Sequence, residues 1–120
     1  MVFQLTLSFL LVQIGSGSYT SSGYVSGGIS AGAANTQITS TAGFYGSTTL
    51  STGTNSGIIL LTNITGNTWV GTTTAGRSDG VTVVTSGFLA LGGALDRLQI
   101  TTGSGTATFS AGQVNILYEG

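Results

Sequence analysis

Apolar and polar residues alternate from the start of the chain. Phe3, Leu5, Leu7 and Phe9 are separated by Gln4, Thr6 and Ser8, a period of two that predicts a strand with one buried face. The parity then switches, and Leu10, Val12 and Ile14 carry the apolar set. A phase flip of one residue sends every following side chain to the other face, so it predicts a bulge or an abrupt turn near Leu10–Leu11. The same run is apolar enough to suggest a signal peptide. However, no Lys or Arg precedes Arg77, so the positively charged start is missing, and the run is too short to span a bilayer.

Beyond Gly15 the pattern is broken by Gly and Ser. Short strands are expected at 24–26, 36–39 and 43–50. The second half is clearer. Ile58–Thr62 and Thr68–Thr72 flank Asn63-Ile64-Thr65-Gly66-Asn67, whose Gly and Asn tolerate positive φ, so they predict a hairpin. Arg77-Ser78-Asp79-Gly80 is a further turn, followed by strands at 81–85 and 88–91. Leu98, Ile100 and Thr102 alternate with Arg97, Gln99 and Thr101, and strands at 106–109 and 114–119 close the chain. Short strands with turn signals at roughly 8–12-residue spacing, and no helical period, predict an all-β chain. The expected architecture is an antiparallel β-sandwich, jelly-roll-like, forming a single domain over 1–120. The detached-looking strand at about 2–9 is a candidate for donation to a neighbouring subunit, through Phe3, Leu5, Leu7 and Phe9.

Composition narrows the chemistry. The chain has 120 residues, of which two are Arg, three are Asp or Glu, and none is Lys, His, Cys or Pro. Without His, Lys or Cys there is no ordinary base to activate any of the many serines and no thiol nucleophile, so no enzyme is expected. The acidic residues Asp79, Asp96 and Glu119 show no spacing that marks a carboxylate pair or a metal site, and no cofactor is expected. A net charge of −1 gives no footprint for nucleic acid. An ordinary surface carries about 25–35 % charged residues; this chain has 4 %. With so little charge to keep copies apart, it reads as a protein packed into an assembly.

Few residues remain as candidate contacts. Tyr19, Tyr24 and Tyr45 lie in or beside Gly/Ser-rich segments and suit stacking on sugar rings. Trp69 suits the same stacking, but its place in the middle of a hairpin strand favours the core. Asp96 and Arg97 are adjacent, so on a strand they would point to opposite faces. They are expected to act as separate anchors or subunit contacts; the sharper reading makes them half of a binding site.

Three stretches resemble a module of tailed bacteriophages that ends many tail-fibre proteins and also occurs in small virion structural proteins of the decoration type. They are Asn67-Thr68-Trp69-Val70, then Leu95-Asp96-Arg97-Leu98-Gln99-Ile100-Thr101-Thr102, then the string from Thr108 through Ala111-Gly112-Gln113-Val114-Asn115 to Glu119. Leu11–Gly15 and Ser22–Ser26 are similar to its earlier strands. The chain departs from the module where Ser8-Phe9 runs straight into Leu10-Leu11 without a polar loop. The resemblance implies a β-sandwich on the exterior of a phage virion, a trimer by analogy, and no membrane insertion. Three roles follow: a capsid decoration or cement protein bound to the major capsid protein; the distal, host-recognising tip of a tail fibre, bound to tail components and a host surface glycan; or a filament subunit assembled by strand exchange.

Overall fold

The computed structural model describes residues 2–6, 10–48, 54–103 and 111–119, and no helix occurs among them. The strands are β1 (Val2–Thr6), β2 (Leu10–Ser16), β3 (Ser18–Tyr19), β4 (Val25–Ala31), β5 (Thr36–Ser40), β6 (Phe44–Ser47), β7 (Thr54–Thr65), β8 (Thr68–Arg77), β9 (Thr82–Ala90), β10 (Arg97–Thr102) and β11 (Ala111–Asn115). They form two antiparallel sheets. One has seven strands in the order β11-β1-β7-β8-β9-β4-β5. In the other, β2 is central, with β10 on one side and β3 and β6 on the other. The chain is an all-β sandwich, as its alternation predicts.

The phase flip after Phe9 now has its cause. β1 belongs to the seven-stranded sheet and β2 to the smaller one, so the chain changes layers between them. The β2–β6 register also shifts between Leu10 and Leu11, the bulge that the flip predicts. β1 lies in this chain's own sheet, with Leu5 opposite Asn55 and Gly112, and Phe3 opposite Gly57 and Val114. Leu7, Phe9 and the strand expected at 106–109 lie outside the described residues.

Several elements run longer than the pattern suggests. The hairpin around Gly66, whose φ is 53°, extends over all of β7 and β8. The two strands expected at 81–85 and 88–91 are one, because Ser86 and Gly87 continue the ladder with Thr72 and Gly71. The Gly/Ser stretch after β2 is a tight return at Gly17, φ 77°, that makes β3.

The core lies between the layers. Leu10, Val12 and Ile14 of β2 and Phe44 of β6 pack with Tyr24, Ile59, Ala75, Val83 and Leu89. Much of the larger sheet's inner face is small or hydroxylated: Gly71, Thr73, Ala75, Thr85 and Gly87. This leaves room for Phe44. A Cβ at Gly71 would stand 2.8 Å from the Phe44 ring, inside any normal contact distance. The ring edge of Phe44 meets Tyr24 with centroids 5.1 Å apart and planes at 85°, the favoured T-shaped arrangement. Hydrogen bonds also join the layers: the hydroxyls of Thr73 and Thr85 both donate to the Tyr45 carbonyl, at 3.1 and 2.6 Å. They let these two hydroxyls be buried with their donors satisfied.

Candidate functional site

Four of the five charges form two ion pairs, both at turns. Arg77 ends β8, and its Nε donates to Asp79 Oδ1 at 3.1 Å while Nη1 donates to Thr48 Oγ1 at 3.0 Å. Gly80, at φ 88°, closes the turn into β9. The guanidinium's hydrogen bond holds the Asp79 carboxyl below its ordinary range, aided by the amide of Val81. Exposed pairs of this kind contribute little stability; their effect is to fix the turn.

The second pair corrects an expectation. Asp96 lies just ahead of β10 rather than on it, so the strand rule that would send Asp96 and Arg97 to opposite faces does not apply. Their side chains meet instead, Arg97 Nε donating to Asp96 Oδ1 at 2.8 Å. The Asp96 carboxylate also accepts the Gly17 amide at 3.0 and 3.2 Å, tying β10 to the β2–β3 turn. Both interactions lower its pKa, that with Arg97 more. The Arg97 guanidinium carbon stands 5.8 Å from the centre of the Tyr19 ring. Tyr19, Asp96 and Arg97 therefore form one exposed cluster at an end of the smaller sheet, a planar ring beside charged hydrogen-bonding groups.

The other two tyrosines are placed differently. Tyr24 is 1 % exposed, so it cannot touch a ligand, contrary to the expectation for it. Its hydroxyl accepts the Ile14 amide and donates to the Thr20 carbonyl, both at 2.9 Å. Burial raises its pKa, and the hydrogen bond to Ile14 partly offsets this. Tyr45 is half-buried on β6, and burial raises its pKa too. Trp69 is partly buried against the core, as expected for a hairpin strand.

The largest candidate surface is the outer face of the seven-stranded sheet. Across adjacent strands, Val25 stands beside Phe88 and Val70, and Ile29 beside Val84, Thr74 and Ile58. Between these two ribs run Gly27, Ser86, Thr72 and Leu60. Val25, Ile58, Leu60 and Phe88 each expose half or more of their surface, and Ile29 and Val84 over 40 %. Together these side chains present roughly 500 Å² of apolar area, near the upper end for one patch on a soluble monomer. No charged residue lies among these rows. The sequence does carry a signal for this face. Ile58-Ile59-Leu60-Leu61 and Val83-Val84 are apolar at both parities, which a strand needs only if both of its faces are covered.

Among the described residues, no three His, Cys, Asp or Glu side chains gather as a metal site. Comparison with models of known protein families, with characterised proteins and with solved structures returns no match.

Proposed function

We propose that this chain is a non-catalytic structural protein of a tailed-bacteriophage virion, displayed on the particle exterior as a capsid decoration, or cement, protein bound to the major capsid protein. The observation that carries this reading is the uncharged, apolar outer face of the larger sheet. Such a face is stable in water only at a cost, and a lattice of neighbouring protein removes it from water. The resemblance of the C-terminal strands to phage virion modules supplies the setting. In that role the chain should co-purify with heads at a fixed stoichiometry and delay their thermal or mechanical rupture. Heads that lack the protein and rupture at the same temperature and force would overturn the proposal.

One observation favours a second reading, the distal receptor-binding domain of a tail fibre. The Tyr19–Asp96–Arg97 cluster combines an exposed ring with charged hydrogen-bonding groups, which suits a sugar. In that role, soluble protein would compete with phage for adsorption to host cells, and a Tyr19→Ala variant would compete poorly. Undiminished adsorption at saturating protein would count against it.

A further inference from the structure

The outer face of the seven-stranded sheet is corrugated. Its outward side chains on β4, β9, β8 and β7 fall into rows that run across the strands. Val25, Phe88 and Val70 make one apolar rib, and Ile29, Val84, Thr74 and Ile58 make a second. Gly27, Ser86 and Thr72 form a furrow between the ribs. Beyond the second rib, Ala31, Thr82, Gly76 and Ser56 form another furrow, with no side chain larger than Thr. A Cβ at Gly76 would meet nothing within 4 Å, so this furrow is open. Successive outward residues of a strand lie about 6.8 Å apart. The face therefore alternates rib, furrow, rib, furrow at an even spacing.

We propose that this face is the contact between two copies of the chain, stacked sheet on sheet. The profile is complementary to itself about one two-fold axis. That axis lies between the sheets, runs along the ribs and passes between the first furrow and the second rib. Each chain's second rib then lies over the other's first furrow, and each first rib over the other's second furrow. Every strand stacks on its own copy and runs antiparallel to it. Near the centre, Val84 meets Ser86 of the partner subunit, and Thr74 meets Thr72 of the partner subunit. At the β7 end the alternation lapses, because Leu60 continues the first furrow. There Leu60 meets Ile58 of the partner subunit, apolar on apolar.

Charge and area agree with a second copy as the occupant. None of the four rows holds a charged residue, so copies do not repel, and no charge pattern selects a different partner. Four strands about 4.8 Å apart and seven residues at about 3.4 Å each make a face of roughly 20 × 24 Å. With the corrugation, two such faces bury on the order of 1,300 Å², within the range of specific interfaces. Identical sheets share one twist, and stacked sheets keep their strand directions within about 30° of each other. The contact is isologous, as closed two-fold dimers are. It also covers the second apolar parity of Ile58-Ile59-Leu60-Leu61 and Val83-Val84.

This inference rests on the reading that neighbouring protein covers the face, and it names that neighbour as a second copy. A capsid is then held by other surfaces of both members of a pair, so splitting the pair also loosens that hold. The contact gives a dimer in place of the trimer implied by the resemblance.

The test uses the purified full chain. Sedimentation or light scattering at about 100 µM should give twice the chain mass, and Val84→Asp should weaken the dimer by about a hundredfold or more. Val84 is exposed within one chain, so this variant should keep its fold by circular dichroism. The chain has no cysteine, so a single Thr72→Cys can be treated with a short bismaleimide. A covalent dimer is the expected product, while Tyr19→Cys, exposed on the smaller sheet, should stay uncoupled. A monomer, a trimer, a dimer indifferent to Val84→Asp, or coupling through Tyr19→Cys and not Thr72→Cys would each overturn the proposal. A monomer that still binds heads would overturn this contact and leave the virion reading standing. A dimer formed by a protein absent from purified particles would do the reverse.

Discussion

The Tyr24 hydroxyl gives the sharpest test of how this sandwich is held together. Tyr24→Phe keeps the ring, its burial and its T-shaped contact with Phe44, and removes one oxygen. That oxygen accepts the amide of Ile14, a fully buried residue of β2. It also donates to the Thr20 carbonyl, at a partly exposed position where water can substitute. The Ile14 carbonyl keeps its bond from the Thr20 amide at 3.0 Å. The net loss is therefore one buried N–H left without an acceptor, which costs about 1–3 kcal/mol. For a domain of this size, about 2 kcal/mol lowers Tm by roughly 6–10 °C. Thermal unfolding followed by circular dichroism reads this directly. Tyr19→Phe is the control, because that hydroxyl is exposed and stands 3.5 Å from its acceptor, Leu98 O, so its Tm should not move. If both variants melted like the parent, the hydroxyl would not be satisfying a buried donor, and the account of this corner would be wrong.

Other outcomes follow from the same geometry. Gly71→Ala places a methyl 2.8 Å from the Phe44 ring and should cost about 1–3 kcal/mol in urea unfolding, whereas Gly76→Ala, with open space at its Cβ, should be near neutral. Phe88→Ser, on the exposed outer face, should change the stability of the isolated chain by about 0.5 kcal/mol or less, and under the proposed decoration role it should abolish retention on phage heads in a pelleting assay. With no His or Cys, stability should be flat from about pH 5 to pH 9. At the acid end, the carboxyls of Asp79 and Asp96 have lowered pKa values, so their contribution is present above the ordinary carboxylate range and is lost as pH falls through their folded-state values. At the alkaline end, Tyr24 and Tyr45 have raised values. Their contribution is complete below about pH 10 and is lost as pH rises through the folded-state values, because the unfolded chain ionises first. Urea midpoints measured across pH 3–11 check both ends; a step near neutrality would contradict the assignment.

The scarcity of charge takes on a spatial meaning in the folded chain. Arg77–Asp79 and Asp96–Arg97 are placed at turns, where each pair fixes a change of direction. The broad faces of the larger sheet are left to apolar and hydroxyl groups. A surface built this way does not repel copies of itself, which suits a protein whose neighbours are fixed partners.

The sequence by itself determined the class of fold. Alternation at period two, Gly and Asn at turns, and the absence of any helical period are local properties, because side-chain direction in a strand repeats with the backbone itself. The phase flip at Leu10 marked a true discontinuity, and the turns at Gly66 and Gly80 were legible because few residues tolerate positive φ. Only the tertiary structure decided which strands share a sheet. It showed that the flip is a change of layer, that Ser86-Gly87 continues a strand, and that Tyr24 belongs to the core while Tyr19 faces solvent. It brought Asp96 and Arg97 together because Asp96 lies before the strand begins. It also gathered β7 and the residues after β11 around shared apolar clefts, although more than fifty residues separate them in sequence. Pairing between distant segments depends on where the layers place them, and no local pattern of residues encodes it.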